Sequence, residues 1–129
     1  MSPRTPGFDG RYIVVADEDR AIIGLVVETL LNDGHAVFQA YDGLSAVQLA
    51  LGLKVCHLVI TNTRVGGAAG IDLILELRAR LPALPILYLE NPGRPGPELE
   101  DRLPRDVPTL SEPFTPDELR AAVRYLLAS

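Results

Sequence analysis

Ile13-Val14-Val15-Ala16-Asp17-Glu18-Asp19 is a β-branched run that breaks off into three consecutive acids. Such a pattern reads as a buried strand feeding an acidic turn. From Ala21 to Leu31 the apolar spacing becomes helical, and Asn32-Asp33-Gly34 closes that helix with a C-terminal glycine. Strand, turn and helix make one unit, and the rest of the chain repeats it.

His35 to Ala40 is a second extended stretch, and Asp42-Gly43 turns it into a helix from about Leu44 to Leu51. Leu58 to Thr61 is a third strand, followed by a loop from Val65 to Gly70. Ile71 to Leu81 is helical, with Leu73, Ile74, Leu77 and Leu81 on one face. Pro82 ends it, and Ile86 to Leu89 is a fourth strand. Between Asn91 and Pro108 the prolines 92, 95, 97, 104 and 108 leave room for a turn or two of helix around Glu98 to Leu103. Thr109-Leu110 makes a short fifth strand. Thr115-Pro116-Asp117-Glu118 then opens the last helix as a capping box. Strands alternating with helices predict an α/β fold, a doubly wound five-stranded parallel sheet of flavodoxin-like order. Its fourth helix should be short or degraded. Residues 1–10 read as a flexible tail and 11–129 as one domain.

Composition narrows the function. The 129 residues are 47% hydrophobic and 22% charged, which suits a globular domain. A net charge of −5 opposes nucleic acid and an acidic membrane surface alike. Cys56 is the only cysteine, so no internal disulfide forms, and a reducing, cytoplasmic setting is expected. Cys56 itself reads as a small buried hydrophobe. No apolar run reaches the length of a membrane span.

In this strand order ligands gather beyond the carboxyl ends of the strands. Those ends carry Asp17-Glu18, Asn62, Glu90 and Glu112. With Gly34-His35 entering strand two, Gly70 closing the loop after strand three, and Glu112-Pro113-Phe114 after strand five, the chain from about Tyr12 to Leu127 resembles the receiver domain of two-component response regulators. The landmarks match in spacing without an insertion.

The resemblance implies a chemistry and also where it fails. Receivers hold magnesium on an acidic pair and take a phosphoryl group on an aspartate ending strand three. They use a Thr or Ser after strand four, a Lys before a cis-proline, and an aromatic on strand five. By position, Asp17 and Glu18 retain the acidic pair. Asn62 replaces the acceptor, Glu90 the Thr/Ser, Glu112 the Lys and Thr109 the aromatic. An amide cannot form an acyl phosphate, and a carboxylate at the lysine position repels the charge that phosphoryl transfer concentrates. The expectation is a pseudo-receiver with a degenerate site, no catalysis, and a cis Glu112–Pro113 bond.

What survives is a cluster of Asp17, Glu18, Glu90 and Glu112 around Asn62. It reads either as solvated carboxylates with like-charge crowding or as a weak site for magnesium or another divalent cation on Asp17, Glu18 and Asn62. Arg64 is placed to fold back on it. His35 and His57 sit at strand entrances, far from the acids, and read as structural. A flavin or nucleotide site fails, because the loop after strand one is acidic where a phosphate would lie, and the glycines of 66–70 lack a phosphate-loop lysine.

The expected function is therefore phosphorylation-independent signalling by protein contact, with a histidine kinase, a phosphotransfer protein, another signalling protein or a second copy as partner. Two alternatives stand beside it, a cation-binding receiver homologue and a fragment of a larger regulator or hybrid kinase. The receiver pattern places Ile22, Leu25, Val26 and Leu30 inward on the first helix. Ile23, Val27 and Leu31 then form an outward apolar stripe, the expected partner surface.

Overall fold

The computed structural model describes residues 10–62, 64–65, 68–91 and 102–128, with backbone alone at 64, 68 and 69. Five strands form one parallel sheet: β1 (Tyr12–Ala16), β2 (Ala36–Ala40), β3 (Leu58–Asn62), β6 (Ile86–Glu90) and β7 (Thr109–Ser111). Their order is β2-β1-β3-β6-β7. A separate antiparallel pair, β4 (Arg64–Val65) and β5 (Ala68–Ala69), occupies the stretch expected to be a plain loop. Around the sheet lie α1 (Arg20–Asn32), α2 (Gly43–Gly52), α3 (Gly70–Arg80) and α4 (Pro116–Leu127). The flavodoxin-like expectation holds, as does the cis Glu112–Pro113 bond.

Both faces of the sheet are covered, so the central strands are apolar on both sides. Val14, Ala16, Val59, Ile86 and Tyr88 pack with residues of α2 and α3. Ile13, Val15, Leu58, Ile60, Leu87 and Leu89 pack with α1 and α4. Each valine, leucine or isoleucine buried this way contributes about 1.5–3 kcal/mol.

Local signals fix the helix ends. Asp19 caps α1, its Oδ1 accepting the N–H groups of Ala21 and Ile22. At the other end Gly34 takes φ of +88°, which only glycine adopts at little cost. There Gly34 N donates to Leu31 O and His35 N to Leu30 O, a Schellman closure. The capping box forms on α4, with Thr115 N donating to Glu118 Oε1 and Glu118 N to Thr115 Oγ1.

The phase of α1 differs from expectation. Ile23 is 2% exposed and Val27 9%, and both lie in the core beside α4. The inward set is Ile23, Val26, Val27 and Leu30, with Ile22 only partly buried and Leu25 at the surface. Leu31 alone of the expected stripe is exposed, at 54%. The expected partner surface of Ile23, Val27 and Leu31 is therefore not a surface. The helix has turned by about one residue, because both the sheet and α4 claim its inner face.

The expectation of a degraded fourth helix falls largely on 92–101, outside the described residues. The stretch from Arg102 to Asp106 is anchored to α3. The guanidinium of Arg78 donates through Nη1 to Pro82 O and Leu84 O, each at 3.0 Å, and through Nη2 to Asp106 Oδ2 at 2.7 Å. Arg102 pairs with Asp72 at 2.9 Å. Among the described residues no helix is long and apolar enough to cross a membrane.

Candidate functional site

Parallel topology sets the carboxyl ends of β1, β3, β6 and β7 along one edge. Asp17 follows β1, and its backbone N–H is held by Ala40 O at the end of β2. Asn62 is the last residue of β3, Glu90 the last of β6, and Glu112 follows β7. Asp17 and Asn62 are 2% and 4% exposed, unusual for polar side chains and tolerable only with partners.

The partners are one another. Asn62 Nδ2 donates to Asp17 Oδ2 and to Glu112 Oε2, both at 2.7 Å. The second oxygen of Asp17 accepts the N–H of Asp19 at 2.9 Å, which also fixes the turn that caps α1. A primary amide has two N–H groups, and each carboxylate receives one. Burial holds the Asp17 carboxyl above the ordinary aspartate range against these bonds, with the Asp19 charge adding to the rise. Burial also raises Glu112; its bond to Asn62 opposes the rise, and the charges of Asp17 and Asp19 reinforce it.

Not all the expected residues gather. Glu90 turns aside, its Oε1 accepting Ser111 Oγ at 2.9 Å on the neighbouring strand. Its backbone oxygen accepts Glu112 N at 2.8 Å, which places Glu112 beside Asn62. Thr109 is exposed on β7, and Glu18 is half-buried. The side chain of Arg64 lies outside the described residues. Of the five expected residues, Asp17, Asn62 and Glu112 form a hydrogen-bonded bridge, while Glu90 bonds Ser111 instead. Sequence reading missed Ser111, which removes Glu90, and a hydroxyl opposite a carboxylate on adjacent strands is a weak signal in one dimension.

A divalent ion needs converging oxygens. Here the atom between the two carboxylates is an amide nitrogen bearing hydrogen, and no group of three His, Cys, Asp or Glu among the described residues is arranged to hold a metal. The expected cation on Asp17, Glu18 and Asn62 would have to displace the Asn62 donor from Asp17 Oδ2.

Comparison with solved structures decides the fold. The response regulator receiver protein from Sinorhizobium medicae superposes with a TM-score of 0.81 at 23% identity, covering 95% of this chain and 98% of that one. The fold is that of a response-regulator receiver domain. The signal receiver domain of an HD domain-containing protein from Pseudomonas fluorescens Pf-5 also reaches 0.81, at 23% identity over 92% of this chain and 88% of its own. In sequence, the chain is similar to protein PetR of Rhodobacter capsulatus, 28% identical over 116 residues, or 90% of this chain and 48% of that protein. The chain spans about half the length of the curated relatives it matches at this level. No protein-family model matches it.

Proposed function

We propose that this receiver-type domain serves two-component signalling through protein contact, without an aspartyl phosphate. The observation that carries this is the Asn62 amide spanning Asp17 and Glu112. It fills the position of the acceptor with a group that cannot be phosphorylated and occupies both neighbouring carboxylates. Glu112 stands where an incoming phosphate would need a cation, so the local field opposes transfer. The domain has no catalytic role in this reading and needs no resident metal.

The partner is a histidine kinase, a phosphotransfer protein, another signalling protein of the pathway or a second copy, and the setting is the cytoplasm. A second reading, in which this sequence is one module of a longer regulator, is favoured by its match to about half of each curated relative. The two readings are compatible, since contact signalling can act on an attached module.

Intact-mass measurement after incubation with acetyl phosphate and magnesium tests the proposal. The mass is expected to stay unchanged. A stoichiometric phosphoryl adduct that hydroxylamine removes would overturn it.

A further inference from the structure

The opposite edge of the sheet holds a second arrangement, built on the two histidines. A central strand begins with N–H groups whose neighbours have not yet become strands, so some partner must be found for them. Arg11 N donates to His35 Nδ1 and Tyr12 N to His57 Nδ1, both at 3.0 Å. The reverse bonds come from the main chain, with Ala36 N donating to Arg11 O and His57 N to Tyr12 O, both at 2.9 Å. The start of β1 is thus gripped from both sides, each time by one imidazole and one amide. The His57 ring also stacks on Tyr12, with centroids 5.8 Å apart and planes 14° apart.

A ring nitrogen that accepts a hydrogen bond carries no proton, so both imidazoles are neutral and hold their hydrogen on Nε2. Protonation would set an N–H against a backbone N–H at each contact. For His57 the nearby charge favours the neutral form, and for His35 the charges divide. His35 shares a groove with Arg11, Asp33 and Arg124. Asp33 would support a cation, but its carboxylate is bound by Arg120 at 3.1 Å. His57 shares its groove with Lys54, Cys56 and Arg80 and feels the charge of Arg11. Burial is the first cause lowering both imidazoles, and for His35 the Arg11 and His57 charges add to it against Asp33.

We propose that His35 and His57 form a proton-operated clasp on the amino end of β1, closed when both are neutral and released when they are protonated. Both imidazoles titrate below the ordinary 6.5 when folded, so the released chain binds protons more readily. The grip is complete above that pH and is lost as pH falls through the folded values. This goes beyond the signalling role above, which concerns the other edge of the sheet.

Amide hydrogen exchange of Arg11 and Tyr12, expressed as protection factors from pH 8 to pH 5, tests the clasp. Protection is expected to fall as pH drops from the ordinary imidazole range to the lowered folded values, by up to about tenfold per pH unit for one linked proton, and to level off below them. Imidazole nitrogen shifts at pH 8 should show Nε2–H in both rings. In His35→Asn/His57→Asn, where the amide oxygen can take the place of Nδ1 without titrating, protection should not vary with pH. Protection independent of pH in the unmodified protein, or Nδ1–H at pH 8, would overturn the proposal. Loss of protection in the double variant parallel to that of the unmodified protein would overturn it equally. Should that variant not fold, the exchange and nitrogen shifts of the unmodified protein decide alone.

Discussion

Asn62 and Glu112, 50 positions apart in the chain, meet at 2.7 Å through one amide hydrogen. The other hydrogen of that amide goes to Asp17. The carboxyl edge of the sheet is therefore closed by an uncharged donor between two carboxylates, both held above their ordinary pKa.

The bridge sets a pH dependence with a definite sign. A carboxyl whose folded pKa is raised binds its proton better in the native state. Its contribution to stability is full below the unfolded pKa and is lost as pH rises through the folded value. Glu112→Gln keeps an acceptor for Asn62 and removes one charge. The variant should unfold at a higher denaturant midpoint than the parent at pH 7, and the difference should shrink or reverse toward pH 4. A midpoint difference that is constant from pH 4 to pH 8 would refute the assignment.

Asn62→Asp removes both donated bonds and sets a third carboxylate against two. The lost donor alone leaves buried acceptors unsatisfied, a cost of about 1–3 kcal/mol, and like-charge repulsion adds to it. The variant should be less stable at pH 7, with part of the loss recovered on acidification. It should also remain unphosphorylated by acetyl phosphate, because Glu112 still stands at the position of the cation. Denaturant titrations at two pH values and one mass spectrum check all three.

Ile23 and Leu31 separate a core position from a surface one on the same helix. Ile23→Ala should cost about 2–5 kcal/mol in chemical unfolding. Leu31→Ala should fall within about 0.5 kcal/mol of the parent. Equal costs at the two positions would show that the phase of α1 is not the one described.

The strands were legible because they are short, mostly apolar runs set between helical stretches, and the residues at their carboxyl ends were legible from topology. The phase of α1 was not. Ile22, Ile23, Leu25, Val26, Val27, Leu30 and Leu31 are apolar on nearly every side, so periodicity leaves the inner face undecided. Packing against Leu119, Val123 and Leu126, nearly a hundred residues downstream, decides it. The bridge was half legible: its three members were named, but Ser111 withdraws Glu90 through a bond that spacing does not announce. The histidines were placed at strand entrances correctly, yet their partners are main-chain N–H groups, which have no residue-type signature.

Arg120 reaches from the last helix to Asp33 across 87 positions, and the same helix covers Ile23, Val27 and Leu30. During synthesis the inner face of the first helix therefore lacks this cover until Pro116–Leu127 is made. Contacts of such long range are closed late and slowly, since the chain between must first be ordered. A nascent chain stalled before Pro116 presents an apolar face that α4 would cover, and loss of α4 converts a folding intermediate into an aggregation-prone state.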